Sequence, residues 1–130
     1  MKSTAEEKIL NNLIEVNLDA CSFYREAADN TAVPLAERTF HDLERIHTGI
    51  VEGLALAAYR NGNTRPPDQA IGKQKLKIFG NLRMVARAGL VSAVENAENL
   101  CIKILEQAID SDEVSTDIKM HVLDAVTMLY

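Results

Sequence analysis

The stretch "AERTFHDLERIHTGIVEGLALAA", residues 36–58, decides the fold class. Its apolar residues Ala36, Phe40, Leu43, Ile50, Leu54 and Ala58 recur at helical intervals. At about 100° per residue they fall within about 60° of one direction, that of His47. No period of two fits, so the stretch reads as an amphipathic helix and not as a strand. Its apolar stripe thus has a polar residue at the centre. Glu44 lies at the edge of the stripe. His41 lies about 120° from His47 and faces water. Of the His-x-x-Glu-x-x-His series in "HDLERIH", residues 41–47, only Glu44 and His47 point inward.

Working outward, "NTAVP" at residues 30–34 breaks the chain, and Pro34 suits the first turn of this helix B, which continues to about Arg60. Helix A precedes it. It starts at Ser3 or Thr4, where Ser3 with Glu6 or Thr4 with Glu7 makes a capping box, and it runs to about Asn30. Beyond helix B, "NGNTRPPDQ" at residues 61–69 forbids helix. Helix C begins between Ala70 and Lys75 and ends near Asp110, either unbroken or interrupted near Gly80 or Gly89. "DSDE" at residues 110–113 then caps helix D, which runs from about Glu113 to Tyr130. Three long amphipathic helices and a shorter one bury their stripes best as an all-α four-helix bundle. The B–C connection is long enough for a crossover. With 130 residues and no composition break, the whole span 1–130 reads as one domain.

Composition narrows the function classes. The chain is 47% hydrophobic and 25% charged, as ordinary globular proteins are. "MKSTAEEKILNNLIE" is charged from its start and has no apolar signal region. No apolar run approaches the ~18 residues that span a bilayer. The expectation is a cytoplasmic protein with no membrane partner. Cys21 and Cys101 form no C-x-x-C pattern and read as small buried apolar residues. The net charge of −5 is uneven. Residues 69–94 contain no acid and carry +5 from Lys73, Lys75, Lys77, Arg83 and Arg87, so the rest carries −10. That balance argues against general nucleic-acid binding. It leaves segment 73–87 as a solvated face, a contact for an acidic protein partner, or a contact with a second copy of the chain.

The other helices repeat the pattern of helix B. Leu10, Leu13, Ala20, Cys21, Tyr24 and Ala28 form the stripe of helix A, with Asn17 at its centre and Glu15 and Asp19 pointing away. In helix C, Val91, Val94, Cys101, Ile102, Leu105 and Ile109 surround Glu98. In helix D, Val114, Ile118, Ala125, Met128 and Leu129 form the stripe, with His121 inside one edge and Asp124 just outside the stripe. If the A–B turn centres near Ala32, Asn17 and His47 are equally far from it and sit level. Glu98 and His121 are also near mid-helix, so each helix brings one polar residue to the axis at about one height. A buried carboxylate must neutralise, pair or bind a cation. Imidazole and carboxylate together suit iron, manganese or zinc, and the Glu44–His47 spacing lets one helix offer two ligands. The same residues could equally form a hydrogen-bonded polar layer that fixes helix register.

The segments "LIEVNLDACSFYREAAD" (13–29), "DLERIH" (42–47) and "VENAENLCIKILEQAID" (94–110) resemble the ferritin-like superfamily. More closely, the chain resembles a family of small bacterial ferritin-like bundle proteins of unknown function. The resemblance implies a di-metal arrangement with one Glu on each of two helices and Glu-x-x-His on the other two. Glu44 and His47 match one Glu-x-x-His, Glu98 matches a lone Glu, and Tyr24 resembles the aromatic residue beyond the first ligand. Asn17 holds the first Glu position. Ile118 holds the Glu position that His121 would complete, with Asp117 and Asp124 as substitutes. Two readings follow. One is a small metal-binding or stress-associated bundle that holds iron, manganese or zinc through Glu44, His47, Glu98 and His121, with Asp124 or Asn17 completing the shell. The other is a non-catalytic interaction or self-assembly module with a relict polar layer. Helix D is shorter than A and C, which favours a homo-oligomer, a dimer first. No catalytic constellation stands out.

Overall fold

The computed structural model of the protein describes residues 4–31, 33–60 and 90–129. Among the described residues all regular structure is helical, in four helices with no strand. They are α1 (Thr4–Asn30), α2 (Pro34–Arg60), α3 (Leu90–Ile109) and α4 (Thr116–Leu129). The first two match the boundaries read from the sequence. Asn30 donates its side-chain amide to the carbonyl of Glu26 (2.9 Å) and so occupies an orphan acceptor of the last turn of α1. Pro34 opens α2 where its missing N–H costs nothing, and the N–H of Glu37 bonds back to the Val33 carbonyl (3.0 Å). Of helix C, only the part from Leu90 onward is described. The expected start between Ala70 and Lys75, the breaks considered at Gly80 and Gly89, and the basic segment 73–87 lie outside the described residues.

Helix α4 starts three residues later than "DSDE" suggests. In that stretch Ser111 accepts from the N–H of Glu113 (3.2 Å), which makes a turn. Val114 then drops into the core. The cap is Ser115, whose hydroxyl accepts from the N–H of Ile118 (3.4 Å). The N–H of Ser115 is itself held by the buried carboxylate of Glu6 at 2.8 Å.

These ties fix the run of the helices. Glu6 and Ser115 bring the starts of α1 and α4 to one end, so these two helices are parallel. Arg60, at the end of α2, reaches Asp117 (3.5 Å) and His121 (2.7 Å) near the start of α4, so α2 and α4 are antiparallel. At the other end, Val94 and Glu95 of α3 share a cleft with Val33, Leu35 and Phe40 beside the start of α2, so α2 and α3 are parallel. α1 packs on α2 and α3, and α4 packs on α2 and α3. The end of α2 and the start of α3 therefore lie at opposite ends of the bundle.

The expected core is largely the observed one. Leu10, Leu13, Tyr24, Ile50, Leu54, Cys101, Leu105 and Ile118 are essentially inaccessible. Two differences stand out. In α4 the inner face carries Val122 and Val126, while Met128 is exposed, because Ile118, Val122, Ala125 and Val126 set the inward direction and Met128 lies about 100° from it. In α1, Val16, Asp19 and Phe23 are buried besides the stripe, so Asp19 does not face open solvent as its place on the wheel suggests. No helix among the described residues is long and apolar enough to cross a membrane.

Candidate functional site

Three of the polar residues at stripe centres meet in the core. Asn17 of α1 and His47 of α2 are both fully buried, and the Glu98 side chain of α3 is 15% exposed. Asn17 Oδ1 lies 2.7 Å from His47 Nδ1. His47 Nε2 lies 2.8 Å from Glu98 Oε2 and 3.1 Å from Oε1. The Tyr24 hydroxyl, also from α1, donates to Glu98 Oε2. One chain of contacts thus joins three helices. It works because the short separation of Asn30 and Pro34 in sequence sets Asn17 and His47 level, and because α3 runs parallel to α2 and turns Glu98 toward both.

The surroundings are aromatic and apolar. The Tyr24 ring stacks over His47 with centroids 5.7 Å apart, and Phe40 stacks on Tyr24 at 6.1 Å. Burial first, and the charge of Glu98 second, push the Tyr24 phenol well above its ordinary range, so it keeps its proton and donates it. The same two causes push the Cys101 thiol up to about 12. Cys101 approaches Asn17 Oδ1 (3.9 Å) as a weak S–H donor. Cys21, also buried and free, sits 3.4 Å from the Thr48 hydroxyl.

The remaining candidate ligands lie elsewhere. Glu44 turns to Arg25, whose Nε donates to its Oε2 at 2.7 Å, and to His41 Nδ1 at 3.6 Å. His41 is half-exposed, as the sequence suggested. His121 does not join the layer. Its Nε2 lies 2.7 Å from Arg60 Nη2 and 4.0 Å from Asp117 Oδ1, and its Nδ1 faces Gly53. The reason is geometric. α4 has 14 residues against 27 in α1 and α2, and Glu6 pins its start to one end, so its middle is not level with theirs. Asp124 is exposed. Among the described residues no group of three or more His, Cys, Asp or Glu side chains is disposed to hold a metal.

Sequence reasoning missed the role of Arg25. The signal was present as a cation within reach of Glu44 across the A–B hairpin, at the edge of the stripe, where a wheel cannot decide between inside and outside. The reading of Cys21 and Cys101 as small buried residues matches the structure, where both are free and buried. No family model, curated protein or solved structure matches the chain.

Proposed function

We propose that the chain is a non-catalytic, ferritin-like four-helix bundle that works by association, with itself or with another protein, and that its Glu/His layer locks the helices in register. One observation carries this reading. The inward-facing atoms of Asn17, His47 and Glu98 are already partnered within the layer, so they hold α1, α2 and α3 to one another instead of converging on an open point. The ferritin-like part is supported by the run of the helices. α2 and α3 are parallel and begin at the same end, so the end of α2 and the start of α3 lie at opposite ends of the bundle, as in bundles of crossover topology.

Association is supported by large apolar side chains left in solvent on the two packed helices α2 and α4. Leu56 is 54% and Tyr59 67% exposed, and Met120, Leu123 and Met128 are about half exposed. Sedimentation of the wild type and of Leu56→Glu with Met120→Glu tests it. A self-associating wild type and a monomeric, folded variant support self-assembly. A wild type that stays monomeric up to high micromolar concentration, and that recruits no partner sensitive to these two changes, refutes it.

The alternative is a bundle that binds iron, manganese or zinc. What favours it is that both Glu98 oxygens face His47 Nε2. The donor set does not fit a resident metal. Among the described residues only His47 and Glu98, with the Tyr24 hydroxyl, face one point. Glu44 is held by Arg25, His121 by Arg60 and Asp117, and Asn17 faces the far side of the imidazole ring. A stable site for these metals takes about four ligands or more.

A further inference from the structure

The orientation of Asn17 decides what lies between His47 and Glu98. Asn17 Nδ2 donates to the carbonyl of Leu13 at 2.7 Å, one turn earlier in α1. Turning the amide over would set Oδ1 against that carbonyl and Nδ2 against the Cys101 thiol, so Oδ1 must face His47. An amide oxygen has no proton to give, so His47 Nδ1 carries one and donates it. Nε2 and the Glu98 carboxyl then stand 2.8 Å apart, too close for two bare lone pairs and too close for two protons. Tyr24 fills the remaining place on Oε2 with its own O–H.

We propose that Asn17 makes this a proton-bridged layer: a single proton, held between His47 Nε2 and Glu98, occupies the place a metal ion would take and keeps divalent cations out. With that proton the buried layer is neutral overall. A divalent cation in its place would leave an uncompensated positive charge, because residue 17 is an amide and supplies no second carboxylate. An unpaired charge in the core is among the costliest things to bury. Asn17 is thus a positioning residue. It acts through the ring of His47 and touches no ligand.

The inference rests on the polar-layer reading above, and the experiment separates the two. Nitrogen-15 NMR of the full chain reports each ring nitrogen of His47. The expected result is a protonated Nδ1 and a far-downfield proton on the Nε2 side. Glu98→Gln should abolish the downfield proton and keep Nδ1–H. Should that variant fail to fold, Asn17→Asp, which keeps an acceptor opposite Nδ1, should retain both signals. In parallel, the wild type is incubated with Zn(II), Mn(II) and, without oxygen, Fe(II), and should take up no stoichiometric metal. A bare Nδ1 in a folded, metal-free protein overturns the inference and leaves the polar-layer reading standing. Stoichiometric metal that is lost in Glu98→Gln overturns both.

Discussion

Replacing Glu98 by alanine removes the acceptor that His47 Nε2 and the Tyr24 hydroxyl share, and it leaves both donors inside an aromatic pocket. Breaking a buried pair from one side costs about 3–5 kcal/mol, because the abandoned partner loses its charge-assisted hydrogen bond in apolar surroundings. For a chain of 130 residues the entropy of unfolding is about 270 cal/mol/K, from about 2.1 cal/mol/K per residue, so the loss lowers Tm by about 11–18 °C. Glu98→Gln is the informative control. Its amide oxygen still accepts from Tyr24, and its NH₂ can donate to a neutral His47 Nε2. The shape is kept, and the cost should be about 1 kcal/mol or less, under ~4 °C. The assay is urea unfolding of the three proteins followed by circular dichroism, with the slope checked for constancy so that midpoints report stability alone. If alanine and glutamine cost the same, the hydrogen-bond chain is not what stabilises this level of the bundle. If alanine costs under ~1 kcal/mol, the layer does not lock the helices at all, and the functional reading loses its central support.

Other outcomes follow from the same geometry. His47→Gln combined with Glu98→Gln should keep the fold and lose less stability than the sum of the single changes, because the two residues touch; a double-mutant cycle measures the difference. Arg25→Ala should cost about 1 kcal/mol, since the Arg25 side chain is 68% exposed and screened while the Glu44 side chain it pairs with is only 17% exposed, and thermal melts should show the smaller cost at high salt. Ser115→Ala should cost about 1 kcal/mol through the lost cap of α4, with amide exchange speeding up first at Ile118. Cys101 should resist thiol reagents in the native protein at pH 8, because burial holds it as the thiol, and should react at once on unfolding. Its folded value lies at about 12 against 9.0 for the free group, so the native state holds the proton more tightly. The stability this contributes is complete below pH 9 and is lost as pH rises toward 12, which alkaline unfolding of Cys101→Ala beside the wild type would show as a smaller loss for the variant.

The level of Asn17 and His47 was legible because two helices separated by three residues share one origin. With an equal rise per residue on both, positions equally far from the turn must be neighbours. The inward aim of Glu98 was legible for a related reason, since a single residue at the centre of a stripe has only the core to face. The same arithmetic fails for His121. Its height is set at the far end of α4, where the Glu6 carboxylate takes the N–H of Ser115 across 109 positions of sequence. Nothing in the local pattern announces that tie. Glu44 fails for another reason. A residue at the edge of a stripe can turn either way, and the cation of Arg25 outside outweighs the imidazole inside.

The contrast between Glu44 and Glu98 also shows how a Glu/His pattern on a helix can be satisfied without a shared ion. Both carboxylates lie within a turn of the polar level, on different helices. Arg25 neutralises Glu44 in partly solvated surroundings, so Glu44 has no unmet demand for a cation. Glu98 has such a demand, and His47, with its far nitrogen set by an amide, meets it with a proton. Each carboxylate that could have shared an ion has instead found its own smaller solution. Residue 17 is where that choice is made. An amide there leaves the layer neutral with one proton, whereas a carboxylate would leave it a charge short and receptive to a second cation.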